Sequence, residues 1–368
     1  MNLNRFDIVK NRLLEWLIRR PSNVVGIDIG TGHVKAAEVL LNNGQPVLKA
    51  VGLIDLPENV MQDGYVANAE ALADIIRRLL STSGISSREV VVAVSGRSVF
   101  VREVMLPAMS KEELKEAIKW DLEKYVPYEP DSYYYDFAVI GQGKSELEIR
   151  VLLVAAPHDL VNTLIAVLKE ANCKPLAIDI EPLALYRTLA DAKNAIVIDI
   201  GNDASQVIVF QGSSPSVTRF IPVGGLRFTE VIMQTLELDY MEAERLKQRQ
   251  AGLLKRPDFE GELPILHQRL ELLVAELARE VRRTFEYYQV QNREAVIDRI
   301  YLTGGGAKLD NLPQHLTALL GDVQVLQHNP LNSLTAISSF DEQYLRSIST
   351  QMAVAIGLAM RGGNYDNN

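Results

Sequence analysis

Two aspartates each close an apolar run and open a turn, and their surroundings repeat. Asp28 lies in Val25-Gly26-Ile27-Asp28-Ile29-Gly30-Thr31-Gly32-His33-Val34-Lys35, and Asp199 in Ile196-Val197-Ile198-Asp199-Ile200-Gly201-Asn202-Asp203-Ala204-Ser205. Each stretch reads as a buried strand, a tight turn and a second strand. Gly30 and Gly32 open backbone conformations barred to other residues. Such a turn aims backbone N–H groups at one point, which suits a phosphate. Thr31 adds a hydroxyl and Lys35 a positive charge. Two carboxylates facing one triphosphate repel it, so if Asp28 and Asp199 imply ATP they also imply Mg²⁺ between them, held through retained water. Lys35 then pairs with the phosphates. Glu244 and Lys247, one helical turn apart on one face, suit a ribose. Gly304, Gly305 and Gly306 follow a strand and suit the close approach of adenine. Each piece alone also reads as a hairpin turn, a solvated helical pair or a plain loop. Their order along the chain is the stronger signal.

The elements that must position these residues follow from periodicity. Val47 to Pro57 reads as strand and turn, Ala69 to Leu80 as a helix and Val90 to Val94 as a buried strand. Ser98 to Leu106 alternates like a strand, and Ser110-Lys111-Glu112-Glu113 is a capping box. The helix it opens carries Leu114, Ile118, Leu122 and Tyr125. Strands at Tyr133 to Ile140 and Leu147 to Ala155 and a helix from Asp159 to Ala171 complete an inserted unit over residues 98–172. Leu176 to Ile180 is a strand, and Glu181-Pro182 opens a helix. Helices follow at Phe228 to Leu236, Tyr240 to Arg249 and Leu266 to Val290, the last two separated by a charged loop at 255–264. A strand at Arg299 to Leu302 precedes the glycines. Helices at Leu309 to Leu320 and Met352 to Arg361 end the pattern, and the last residues read as a disordered tail. Residues 1–20 form a basic amphipathic pattern ended by Pro21, suited to a membrane surface, a partner or packing on its own domain.

At 368 residues with 47% apolar content, the chain can build one large domain or two ordinary ones. A net charge of −9 gives no field that favours nucleic acid. A single cysteine, Cys173, excludes a disulfide framework and a cysteine-based zinc site. The run from Met352 to Met360 is too short to span a bilayer. The N-terminus has no signal-peptide pattern, so a soluble cytoplasmic protein is expected.

Taken together, the pieces resemble the actin-like ATPase superfamily, which includes actin, sugar kinases, chaperone ATPases, MreB and FtsA. Residues 25–39 and 196–210 resemble its two phosphate motifs, 300–309 its adenosine motif, and 181–187 and 353–361 its two connecting helices. Residues 98–172 resemble the FtsA-type subdomain 1C. Leu106-Pro107-Ala108-Met109, Ala117 to Tyr128 and Phe220 to Gly225 are similar to the PilM family of type IV pilus assembly proteins. The resemblance implies an α/β, two-lobed actin-like ATPase fold of duplicated RNase H-like lobes. Its expected divisions are an N-terminal helix at 1–21, subdomain 1A at 22–97 and 173–193, 1C at 98–172, 2A at 194–225 and 298–340, 2B at 226–297, and a connecting helix and tail at 341–368.

It further implies that Gly201, Ser205, Gly225 and Lys308 join Asp28, Gly30, Thr31, Gly32, Lys35, Asp199, Glu244, Lys247 and Gly304 to Gly306 around ATP and Mg²⁺. Glu181 matches a position that orients an attacking water; it also reads as an acid favoured by a helix N-terminus. Asn202 and Asp203 replace the glycines and threonine of more active relatives, which favours slow or absent hydrolysis. The implied role is an ATP-binding scaffold of pilus biogenesis and twitching motility at the cytoplasmic face of the inner membrane. It would take the N-terminal cytoplasmic tail of PilN in a groove between 1A and 1C, where Trp120, Tyr125, Val126, Pro127 and Tyr128 are lining candidates. Pilus motor ATPases are further expected partners, and membrane contact would run through PilN, aided by residues 1–20. The alternatives are an FtsA-like division protein, another actin-like cytoskeletal ATPase, and a small-molecule kinase.

Overall fold

A strand covered on both faces has no side for polar groups, so its sequence is apolar without alternation. Val24, Val25, Ile27 and Ile29 form such a run, all buried, in β1 (Ser22–Ile29). The computed structural model describes residues 22–42, 45–62, 64–94, 96–143, 145–189, 194–249, 263–292, 296–321, 323–337 and 340–361. The expected N-terminal helix, residues 255–262 of the charged loop and the tail from 362 lie outside these residues.

β1 pairs antiparallel with β2 (His33–Asn42), and β2 with β3 (Gln45–Asp55). A short hairpin of β4 (Met61–Gln62) and β5 (Tyr65–Val66) leads to α1 (Ala69–Thr82). Asn68 caps α1, accepting from the Ala71 N–H at 3.0 Å. Its stripe of Leu72, Ile76, Leu79 and Leu80 is buried in the first lobe's core. β6 (Glu89–Val94) then adds parallel to β1.

The inserted unit leaves the lobe here. It comprises β7 (Phe100–Pro107), α2 (Lys111–Tyr125), β8 (Tyr133–Gln142), β9 (Glu148–Pro157) and α3 (His158–Glu170), with its own sheet of order β7-β9-β8. The capping box starts α2: Ser110 Oγ accepts from the Glu113 N–H at 3.3 Å, and the Glu113 carboxylate accepts from the Ser110 N–H at 2.9 Å. Leu114, Ile118 and Leu122 pack against Val104, Leu106, Val151 and Leu153. The opposite face of the sheet puts Val101, Val154 and Ala156 into the first lobe's core.

β10 (Lys174–Ile180) returns parallel to β6 and runs directly into α4 (Glu181–Thr188), with Pro182 in the first turn where its missing N–H costs nothing. β11 (Asn194–Ile200), β12 (Ser205–Gln211) and β13 (Ser214–Ile221) repeat the antiparallel meander. α5 (Gly225–Leu236), α6 (Tyr240–Arg249) and α7 (Leu263–Gln291) follow. Leu266, Leu270, Leu273, Leu277, Val281 and Tyr288 bury the expected stripe of α7. β14 (Arg299–Thr303), α8 (Leu312–Leu320) and β15 (Val325–Gln327) complete the second sheet. The strand orders β10-β6-β1-β2-β3 and β15-β14-β11-β12-β13 match, as do the pairing directions. The fold is a duplication of one α/β unit, as expected.

Three features depart from the sequence reading. β13 is a full strand. The helix after the glycines starts at Leu312, because Asn311 adopts a left-handed conformation at φ 59°. The chain also returns to the first lobe before residue 341, since β16 (Ala336–Ile337) pairs parallel with β3. α9 (Glu342–Ile348), capped by Asp341, and α10 (Ala353–Arg361) end the described chain.

α4 and α10 lie between the sheets, packed with Val24, Val91, Val197, Ile208 and Phe210. Their backbones touch. A Cβ on Gly357 would fall 1.9 Å from the Ala184 carbonyl oxygen, and one on Gly26 would fall 1.9 Å from that of Ala355. Asp179, buried at the end of β10, pairs with Arg187 of α4 at 2.8 Å and Arg361 of α10 at 3.1 Å.

Candidate functional site

The two hairpins meet tip to tip. Gly30 donates its N–H to the His33 carbonyl at 3.0 Å, which shapes the first turn and puts Thr31 and Gly32 at its tip. A Cβ on Gly32 would sit 3.0 Å from the Asn202 side chain, so the turns after β1 and β11 abut. Asp28 is buried and accepts from Lys35 Nζ at 2.8 Å. Burial works against the Lys35 charge, but Asp28, Asp199 and Glu181 outweigh it, so its pKa is raised. Asp199 is pushed up to about 6, first by burial and then by Asp28, with Lys35 opposing. One cation therefore serves three carboxylates from both lobes.

The remaining expected residues fall around this centre. Gly304, at φ 84°, closes on Asp199: a Cβ there would lie 2.3 Å from Asp199 Oδ1 and 2.5 Å from the Ile200 carbonyl. Gly306 stands equally close to the Ile200 side chain, and Gly305 faces Gln351, which accepts from Lys308. Lys247 pairs with Glu244 at 2.6 Å and donates to Thr229 at 2.8 Å and to the Gly225 carbonyl at 3.1 Å. Burial works against the Glu244 carboxylate, but Lys247, Thr229 and Gln248 hold its pKa below the ordinary value. His33, beside Lys35, is lowered by burial and then by that lysine, against its Asp55 partner at 3.2 Å.

Two assignments change. Ser205 is fully buried and donates its hydroxyl to the Val223 carbonyl, so that oxygen fastens β12 to the chain after β13 and does not face the cleft. The Gly225 N–H donates to the Gly201 carbonyl at 2.8 Å and Leu226 to that of Asn202 at 2.9 Å. The start of α5 thus ties down the second turn. The unexpected Gly224 is what permits it, with Cβ space only 2.3 Å from the Asn202 carbonyl oxygen.

The reading from sequence missed Gln206. In the register of β11 with β12, Asp199 faces Gln206 as Asp28 faces Lys35. The repeat itself marked the position, since each residue follows its aspartate by the same interval. Gln206 is buried, its Oε1 has no hydrogen-bond partner among the described residues, and it lines a cavity of about 320 Å³. Glu181 of α4, Val99 just before β7, Val101 of β7, and Thr218 and Phe220 of β13 share the lining. The cavity is walled by both lobes and the inserted subdomain.

None of the five expected partner contacts lines it. Val126 is buried in the subdomain core. Tyr128 donates to the Ser98 carbonyl at 2.6 Å and leans on Tyr133, and Tyr125 packs on the same core. These three side chains build the subdomain. Pro127 is exposed, and Trp120 stands out on α2, 81% exposed.

The site fits Mg²⁺ and a nucleotide. Among the described residues, no group of three or more His, Cys, Asp or Glu side chains is arranged to hold a metal. A pair of carboxylates beside backbone turns instead suits an ion that keeps its waters and takes phosphate oxygens. The backbone-to-carboxylate approach at Gly304 has space for no side chain, as a flat ligand above it requires. When bound, Mg²⁺ would supply the positive charge that Asp28 and Asp199 need to face phosphates. Asp28 and Asp199 would hold it, and Lys35 would hold the phosphate chain. No helix among the described residues is long and apolar enough to cross a membrane.

Two lobes of one topology, paired aspartate turns at their junction and two helices crossing beneath define an actin-like ATPase fold. Solved structures agree on the fold: the ethanolamine utilization protein EutJ of Carboxydothermus hydrogenoformans at TM-score 0.56, 17% identity and 97% and 99% coverage of this chain and that one. MreB5 of Spiroplasma citri, solved with ADP, gives TM-score 0.53 at 15% identity, covering 95% and 99%. The chain belongs to the type IV pilus assembly protein PilM family, whose model matches residues 26–363. A solved PilM-PilN type IV pilus biogenesis complex matches at TM-score 0.80 and 29% identity, over 93% of this chain and 99% of that one. The cell division protein FtsA of Bacillus subtilis is 24% identical over 61% of this chain, a match that spans 57% of its own length. FtsA of Escherichia coli K12 is 23% identical over 78% of this chain and 80% of its own.

Proposed function

We propose that this chain is an ATP-binding scaffold of the type IV pilus assembly complex. In this reading it takes the N-terminal tail of a PilN-type membrane protein at the junction of the first lobe and the inserted subdomain. Membership in the PilM family and the likeness to a PilM-PilN complex support the partner class. The observation that carries the reading is the cavity beside that junction, whose far wall is β12 and β13 of the second lobe. Its apolar walls, Val99, Val101 and Phe220, suit side chains of an extended peptide, and the unpartnered Gln206 Oε1 suits a peptide N–H. Exposed Trp120 and Pro127 are outer contacts in this reading.

Nucleotide sets the lobe angle. Asp28 of one lobe and Asp199 of the other would hold Mg²⁺ and Lys35 the phosphates, so a bound nucleotide would draw on residues of both lobes. Hydrolysis is slow or absent, because Asn202 and Asp203 put a carboxylate in the second turn, held there by an Asn202-to-Asp203 hydrogen bond of 2.6 Å. The protein then works at the cytoplasmic face of the inner membrane, reaching it through its partner, with motor ATPases as further partners. Titration of a synthetic PilN-type N-terminal peptide by calorimetry, with and without Mg·ATP, tests the reading. Micromolar binding that depends on nucleotide is expected; no heat at either condition refutes it.

A further inference from the structure

The inserted subdomain belongs by sequence to the first lobe, yet its sheet touches both lobes. At one end the contact is apolar: Val101, Val154 and Ala156 sit in the first lobe's core. Toward the second lobe the contact is polar. Arg150 of β9 donates to Glu103 of β7 through Nε at 2.6 Å and Nη2 at 2.9 Å. The same Nη2 crosses the boundary to Gln211 Oε1 of β12 at 3.2 Å. The Ser216 hydroxyl of β13 donates to Glu103 Oε2 at 3.4 Å. Both charged side chains are 18% exposed, and Tyr288, buried on α7, lies close enough to feel both charges.

We propose that the Glu103–Arg150 pair is a latch that fastens the inserted subdomain to the second lobe and lets go when the lobes rotate. The inference rests on the nucleotide-set lobe motion proposed above. Its logic lies in what each bond loses on separation. Glu103 and Arg150 sit on neighbouring strands of one sheet, so their bidentate pair survives if the boundary opens, and no buried charge is orphaned. The groups left behind, Gln211 and Ser216, are neutral and can turn to water. Among the described residues, the two hydrogen bonds exchanged each have one neutral partner and depend strongly on distance and angle. The apolar end, by contrast, tolerates small shifts, since such contacts are non-directional. Rotation of the second lobe about the crossing of α4 and α10 would therefore be taken up at the polar joint. The subdomain stays with the first lobe, and the junction cavity changes shape.

The test uses the full chain. Gln211→Leu with Ser216→Ala removes the two boundary bonds and leaves the ion pair intact, whereas Arg150→Met removes the ion pair together with the bond to Gln211. Hydrogen exchange without nucleotide should quicken at least threefold in residues 100–107 and 211–221 of both variants, with the interior of β1 unchanged. Mg·ATP affinity by calorimetry should change at least threefold, in the same direction in both. Unchanged exchange overturns the proposal. Faster exchange with unchanged affinity also overturns it, since the contact is then structural only. A wild type that binds no Mg·ATP refutes the nucleotide reading instead, and the exchange result then decides whether the boundary bonds hold the subdomain.

Discussion

Replacing Lys35 by methionine keeps most of the side chain's apolar length and removes its charge. The lysine ammonium lies 2.8 Å from Asp28, with the two side chains 16% and 6% exposed. It also serves Asp199 and Glu181. Removing one partner of a buried pair costs about 3–5 kcal/mol, because the other charge is left without compensation. Against a total stability of roughly 5–15 kcal/mol, that is a large share. For lobes of this size about 1 kcal/mol shifts the melting temperature by ~2–4 °C, so a fall of roughly 8–16 °C is expected at pH 7 for a loss near 4 kcal/mol. The companion variant carries Asp28→Asn as well. It removes the orphaned charge and should recover at least half of the loss. Millimolar Mg²⁺ without nucleotide should raise the melting temperature of Lys35→Met more than that of the wild type, since a cation is what the site then lacks. Thermal scans and urea titrations of the wild type and both variants measure this. A loss below about 1 kcal/mol, or no recovery in the double variant, refutes the claim that Lys35 neutralises a shared acidic centre.

Three further outcomes are expected. Asp199 titrates at about 6, so it takes up a proton as pH falls through that value; Mg·ATP affinity should drop about tenfold from pH 7 to pH 5. An Asp199→Asn chain should lack that step in its calorimetric profile. Gly304→Ala forces a Cβ onto Asp199 Oδ1 at a positive φ, and should cost about 1–3 kcal/mol in urea titration while abolishing Mg·ATP binding. Trp120→Ala should leave the melting temperature unchanged, because the side chain is 81% exposed, and should weaken PilN-type peptide binding at least threefold.

Where local chemistry decides structure, the sequence was easy to read. The Ser110–Glu113 box starts α2 because both of its hydrogen bonds span three residues. The paired Asp-Ile-Gly turns exposed the duplication because each half folds by the same rule. Ser205 misled because a hydroxyl in a phosphate-like turn looks available; only the Val223 carbonyl, brought in by β13, shows where it points. Val126 and Tyr128 looked like a partner surface because aromatic and apolar residues in an exit loop have the composition of one. Tyr128 is held by Ser98 and Tyr133 and Val126 by the subdomain core, all brought in from other segments. The junction cavity was invisible for the same reason: its walls come from three bodies that meet only in the folded chain.

The register of the two hairpins has one more consequence. Each aspartate faces the same position on its neighbouring strand, yet one finds a lysine there and the other a glutamine. The first hairpin carries a counterion for its own aspartate and the second does not. A duplicated unit has thus diverged into a host that carries its own counterion and a guest that borrows one. The borrowed charge comes from across the cleft, so the second aspartate senses how far away the first lobe stands. A change in the gap would change the field of Lys35 at Asp199, so lobe separation and proton uptake at that carboxylate would be coupled.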